Sequence, residues 1–201
     1  MNQYIRIPII TTLLIVINII IFAAFIFMPN LMPLYNQGVL STEALQQGHY
    51  WTLITSMFLH GSILHIICNM ISLYYLGIFS ETVFGKIRFL IIYFISGIAG
   101  GILYCIVGVL TENVVGAVGA SGAIFGLFGA YGYILFRESK NNEVLAVKPT
   151  KNDITSFLTL LAINIIYGIS NPGIANEAHI GGLISGFILA AAIYPLIVRR
   201  G

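Results

Sequence analysis

The chain has 201 residues, and nine Lys or Arg with seven Asp or Glu leave only 8 % of it charged. Soluble globular domains carry roughly 25 %. With 58 % hydrophobic residues and a mean hydropathy of +0.96, a water-soluble fold of this size could not hide its apolar surface. A soluble enzyme, a disordered chain and a nucleic-acid binder are thereby excluded, and the net charge of +2 is too small to imply an acidic partner.

The composition points to an all-α, polytopic membrane protein. A crossing helix takes about 20 residues, so six helices fit with room for loops and seven or eight do not. In chain order, apolar runs predict spans at roughly 9–28, 56–79, 89–110, 119–136, 154–169 and 178–198. The first is too long for a signal-peptide core and no small-x-small cleavage site follows it, so it reads as an uncleaved span. Between the first two lies a polar-aromatic stretch, roughly 29–55, too long for an ordinary connection and expected to be a functional or interfacial outer loop. No repeat or linker divides the chain, so residues 1–201 read as a single six-span domain.

With six crossings, every basic residue falls on one side: Arg6, Lys86, Arg88, Arg137, Lys140, Lys148, Lys151, Arg199 and Arg200. The positive-inside rule makes that side, and both termini, cytoplasmic. Glu43, Glu112 and Glu177 mark the outer side. Cys68 and Cys105 lie inside apolar runs and read as small packing residues, with no disulfide or metal implied.

The residues able to carry chemistry gather toward the outer side. All four histidines, His49, His60, His65 and His179, lie there. In the second span His65 and Asn69 are four apart and share a helix face, which Ser72 continues. A helix starting near Ser56 puts His65 about 13 Å along its axis. The pair alone is also what a packing hydrogen bond between helices would look like. The fourth span opens Gly119-Ala120-Ser121-Gly122, which puts Ser121 at a helix N-terminus, where free backbone N–H groups can stabilise an oxyanion. By itself this motif is weak, and Ala123 excludes the soluble-hydrolase elbow.

The sixth span opens Ala178-His179-Ile180-Gly181-Gly182, and Ala178, Gly182, Gly186 and Ala190 form a small-residue stripe. Gly122, Gly126 and Gly129 form another on the fourth span. The two helices can approach closely at the level of Ser121 and His179, where a hydroxyl would meet the base it needs. No carboxylate is suitably placed: the single Asp, Asp153, is on the inner side, and Glu177 is about 200° around the helix from His179. A Ser-His dyad is the expected arrangement.

The three motifs together, His60-x4-His65-x3-Asn69, Gly119-Ala120-Ser121-Gly122 and Ala178-His179-x2-Gly182-x3-Gly186, resemble those of the rhomboid family of intramembrane serine proteases, in order and on the second, fourth and sixth spans. The resemblance covers essentially the whole chain and implies a six-helix bundle. It implies cleavage of single-span substrates near the outer membrane face, in the lipid bilayer, with no cofactor or metal. It makes Ser121 the nucleophile and His179 the general base. His65, Asn69 and the Ser121 backbone N–H become the oxyanion hole, Gly119 and Gly122 the motif glycines, and His60 a supporting residue. Two positions depart from the pattern: Thr52 follows Trp51 where many relatives have Arg, and Phe125 stands where some have Tyr stacking on the base. Glu81 resembles a structural acid, with Lys86 or Arg88 as expected partners. The simple chain suggests a bacterial cytoplasmic membrane with the site facing outward.

Rivals fare worse. An aspartyl protease needs two Asp, and a zinc protease would show His-Glu-x-x-His. A non-catalytic relative should lack Ser121 or His179. A transporter should show a polar path to the inner side, and only Asn164 and small hydroxyls offer one.

Overall fold

A computed structural model describes residues 8–112, 115–140, 150–171 and 173–198. The expectations resting on Arg6, Val114, Lys148, Arg199 and Arg200 lie outside these residues. Among the described residues the fold is helical, its only β pairing an isolated bridge between Leu40 and Ala117.

Helix α1 (Ile9–Phe27) leads through a tight turn into three short helices, α2 (Met32–Gly38), α3 (Thr42–Gln46) and α4 (Thr52–Thr55). Five long ones follow: α5 (Ile63–Phe84), α6 (Lys86–Thr111), α7 (Ser121–Lys140), α8 (Lys151–Ser170) and α9 (Asn176–Val198). By length and hydropathy α1, α5, α6 and α9 can each cross a membrane, and α8 contains a shorter apolar stretch, Ile154–Ser170. The predicted loop at 29–55 is thus largely helical.

Helix α7 is the centre of the bundle. Ala120, Ala123, Ile124, Leu127, Phe128, Ala130 and Ile134 are all fully buried. Helices α9 and α6 pack most closely against it, with α5 beyond them. The approach of α9 is made by glycine. A Cβ on Gly182 would strike the carbonyl oxygen of Gly122, and one on Gly186 that of Gly126. In a bilayer, where lipid is as apolar as a side chain, such backbone-to-backbone packing is what draws helices together. Helix α8 is more peripheral. It meets α7 through Phe157, against Phe128 and Tyr131, and reaches α5 through Asn164 Nδ2, which donates to Ser72 Oγ at 3.3 Å.

Two boundaries differ from the sequence reading. The second span starts at Ile63, because Ser62 caps α5 by accepting from the His65 N–H, and Ser56–Phe58 is a separate turn. His65 therefore lies on the first turn of its helix rather than 13 Å along it. Glu81 also has a different partner. Its carboxylate accepts from the Ile10 and Thr11 N–H groups at 3.1 and 2.8 Å and from Thr11 Oγ1 at 2.9 Å. The first N–H groups of α1 have no acceptor within their own helix, and a carboxylate both satisfies them and complements the positive end of the helix dipole.

The charges separate along the bundle. Glu81 joins the C-terminal end of α5 to the start of α1, and Tyr194 of α9 donates to Glu138 at the far end of α7. Lys86, Arg88 and Arg137 lie at this end. Ser121, His179, Glu112 and Glu177 lie at the other.

Candidate active site

The sequence places a hydroxyl and an imidazole on two separate helix starts, and the fold brings them together. Ser121 is the first residue of α7 and His179 lies in the first turn of α9. The interlocking glycines of these helices align the two starts, and His179 Nε2 lies 2.9 Å from Ser121 Oγ. His179 is 7 % exposed. Its ring stacks on Phe125, one turn below Ser121, with centroids 4.1 Å apart and planes 6° from parallel. The departure at Phe125 thus keeps a flat aromatic wall against the imidazole and omits only a hydroxyl. No carboxylate hydrogen-bonds His179 among the described residues.

The chain reaches Ser121 through a strained residue. Gly119 has φ of +124°, a conformation L side chains rarely adopt. A Cβ there would lie 2.6 Å from His65 Nε2 and 3.3 Å from Asn69 Nδ2. His65 and Asn69 therefore converge on the backbone just before Ser121. Asn69 is 4 % exposed, and its Nδ2 is buried without a hydrogen-bond acceptor. An orphaned amide donor costs roughly 1–3 kcal/mol. Here it sits beside the helix N-terminus that bears Ser121, a place where a negatively charged oxygen would be welcome. Ser72, expected on the same face, turns instead to Asn164.

His60 is 4 % exposed and lies edge-on to His65, with centroids 5.1 Å apart. It touches that ring and does not reach Ser121 by any hydrogen bond. Gly122 serves as a contact surface for α9 through its carbonyl oxygen.

The segments that brace this site had no signature in the sequence. Leu40 and Ala117 exchange backbone hydrogen bonds at 3.1 and 2.7 Å, which pins the chain before Gly119 to the linker between α2 and α3. The Gly119 N–H donates to the Ser56 carbonyl at 2.9 Å, and Tyr104 Oη donates to the Val115 carbonyl. Thr52, the other departure, is fully buried and donates to the His49 carbonyl at 2.7 Å, while Trp51 Nε1 donates to the Gln37 carbonyl. The segment from 29 to 55 is thus tied internally by neutral donors. No group of three or more His, Cys, Asp or Glu able to hold a metal occurs among the described residues.

Residues 47–196 match the family model of the Rhomboid domain. The chain is 37 % identical over 172 residues to RHOMBOID-like protein 5 of Arabidopsis thaliana, covering 85 % of this chain and 52 % of that protein. It is 32 % identical over 157 residues to Rhomboid protease GluP of Bacillus subtilis (strain 168), covering 78 % of this chain and 28 % of that one. It is also 35 % identical over 158 residues to Inactive RHOMBOID-like protein 8 of Arabidopsis thaliana, covering 78 % of this chain and 42 % of that one. The chain thus spans about half or less of the length of these relatives.

Proposed function

The chain belongs to the rhomboid family of membrane proteins, and on that footing we propose that it is an intramembrane serine endopeptidase working through a Ser121–His179 dyad. The observation that carries this reading is the 2.9 Å contact between Ser121 Oγ and His179 Nε2 at paired helix N-termini, with the unpaired Asn69 Nδ2 beside it. The six long helices each cross the bilayer as one domain. The end bearing Lys86, Arg88 and Arg137 is cytoplasmic, and the Ser121 end opens to the outer side.

A substrate is the transmembrane segment of a single-span protein, approaching from the lipid. Its outer end must unwind, because a helical amide is shielded by its own hydrogen bonds. Ser121 Oγ attacks the carbonyl carbon while His179 Nε2 takes the hydroxyl proton. The resulting oxyanion is held by His65, Asn69 and the Ser121 N–H. His179 returns the proton to the leaving amine, and the peptide bond breaks to give an ester on Ser121. Water, deprotonated by His179, then attacks the ester and releases the new carboxyl terminus and the free hydroxyl. Chelators should have no effect on this cycle, which involves only side chains and water.

The test is cleavage of a single-span reporter carrying small, helix-breaking residues near its outer end, in detergent and in liposomes. Cutting by wild type and not by Ser121→Ala supports the reading. No cutting across a panel of reporters, with no labelling of Ser121 by a serine-reactive probe, would favour a non-catalytic binder of membrane proteins. The identity with a relative named inactive makes that the second reading.

A further inference from the structure

One cavity stands apart from Ser121 and is used by none of the chemistry above. It has a volume of about 390 Å³ and lies where the outer end of α1 meets α2 and the segment before α5. That is within the roughly 300–1,000 Å³ typical of small-molecule sites. Phe22 and Phe25 of α1 and Met32 and Tyr35 of α2 form its walls, with His60 and Gly61 from the segment before α5. Phe25 and Tyr35 pack edge to face, 5.2 Å apart. Lining residues Ile26, Met32 and Ile63 are 47, 46 and 63 % exposed. They continue into the apolar surface of α1, where Ile20 and Phe27 are also exposed. Gly61 and Ser62 add a small polar edge.

We propose that this cavity takes an alkyl chain of a bilayer lipid, and that the chain steadies the proposed oxyanion hole through His60. The occupant follows from position and chemistry. The walls offer aromatic and aliphatic surface, the mouth is continuous with the lipid-facing surface of a membrane-spanning helix, and the polar edge suits the glycerol end of a lipid. The consequence follows from the packing behind the cavity. Phe22 meets His60 edge-on with centroids 6.5 Å apart, and His60 meets His65 in the same manner at 5.1 Å. Neither ring nitrogen of His60 hydrogen-bonds another side chain, so the two ring contacts are its side-chain neighbours of note. Packing from the cavity side, through Phe22, is therefore one of the restraints on its movement, and through it on that of His65. A donor held in place is worth more to a developing charge than one that must reorganise. The lipid-binding half stands alone, while the effect on cleavage rests on the protease reading.

The experiment uses the full chain in detergent with a phosphatidylcholine carrying brominated acyl chains, a short-range quencher of tryptophan. Trp51, the only tryptophan, is replaced by Phe, and the reporter is Phe25→Trp or, separately, Tyr35→Trp, each in a Ser121→Ala background. Ile20→Trp, on the exposed face of α1, reports ordinary lipid contact. We expect quenching at the cavity reporters to saturate at a few lipids per protein and to reverse with unbrominated lipid, while Ile20→Trp quenches in proportion to the lipid added. Gly61→Leu should cut the saturable part at least twofold, since a Cβ there meets nothing within 4 Å and the side chain has room to reach into the cavity. Cavity reporters that titrate like Ile20→Trp, or saturable quenching untouched by Gly61→Leu, would overturn the site. In protein with Ser121 intact, phosphatidylcholine should raise reporter cleavage severalfold for delipidated wild type and leave Gly61→Leu unchanged. Equal responses would overturn the coupling to His65. If nothing is cleaved under any condition, the protease reading fails while the quenching still reports on the cavity.

Discussion

Phe125 and His179 lie with their rings 4.1 Å apart and 6° from parallel, so the helix that begins with Ser121 also supplies the wall on which the imidazole rests. Hydroxyl and wall are one turn apart on α7. Any motion of α7 therefore carries both with it, and the 2.9 Å contact to His179 depends on how closely α9 sits against α7.

Replacing Phe125 tests that support. Phe125→Ala should lower reporter cleavage by about tenfold or more, since an aromatic pair contributes about 0.5–1.5 kcal/mol beyond its buried area and the freed ring can leave its geometry. It should also destabilise the fold by about 3–5 kcal/mol, because Phe125 is buried. Phe125→Tyr should keep most of the activity. Steady-state cleavage together with thermal unfolding in detergent separates the two effects.

Ser121→Ala and His179→Ala should each remove nearly all cleavage while leaving the protein folded. The double variant should be no worse than either single one, because the two groups act as a unit. Cleavage assays on the three proteins, each with an unfolding curve to show intact structure, check this.

Asn69→Ala should reduce the rate by about 10²–10³, the usual worth of one oxyanion donor. Its effect on stability should be small or even favourable, since the wild-type Nδ2 is buried without an acceptor. Full activity in Asn69→Ala would remove it from the oxyanion hole.

Gly182→Ala should be far more harmful than an exposed Gly→Ala. Its methyl group would meet the Gly122 carbonyl oxygen, so α9 must back away from α7 and take His179 from Ser121. We expect both a lower unfolding temperature and a loss of cleavage. Gly173→Ala, at an exposed position where a Cβ meets nothing within 4 Å, serves as the control.

Glu81→Ala should destabilise without touching the chemistry. It strips acceptors from two N–H groups of α1 and from the buried Thr11 hydroxyl, a loss of about 1–3 kcal/mol or more. Glu81 lies at the opposite end of α5 from His65, so kcat measured at low temperature should stay near the wild-type value.

Some of this was legible in the chain and some was not. The small-residue stripes on α7 and α9 announced a close approach, because only backbone-sized side chains permit it, and the interlocking of Gly182 with Gly122 is that approach. The start of α5 was misread because apolar content continues upstream of Ser62, while the helix is set by the Ser62 cap, a local hydrogen bond that hydropathy does not record. The partner of Glu81 was misread for a related reason. Sequence nearness favoured Lys86 and Arg88, and the N–H groups that hold it are about seventy residues away.

The sequence by itself determined that this is a helical membrane protein, because so few charges exclude a soluble fold and apolar runs of about 20 residues suit crossing helices rather than the shorter strands of a barrel. It also singled out Ser121, His179, His65 and Asn69 as the candidates for the proposed chemistry, since they are polar groups placed in spans where polarity is costly. Only the tertiary structure decided what those groups meet. The Ser121–His179 distance, the ring beneath His179, the convergence of His65 and Asn69 on Gly119, and the Leu40–Ala117 pairing that braces the approach to Ser121 all join residues far apart in the chain. Such contacts depend on how helices cross and how closely glycines let them approach, which no local pattern encodes.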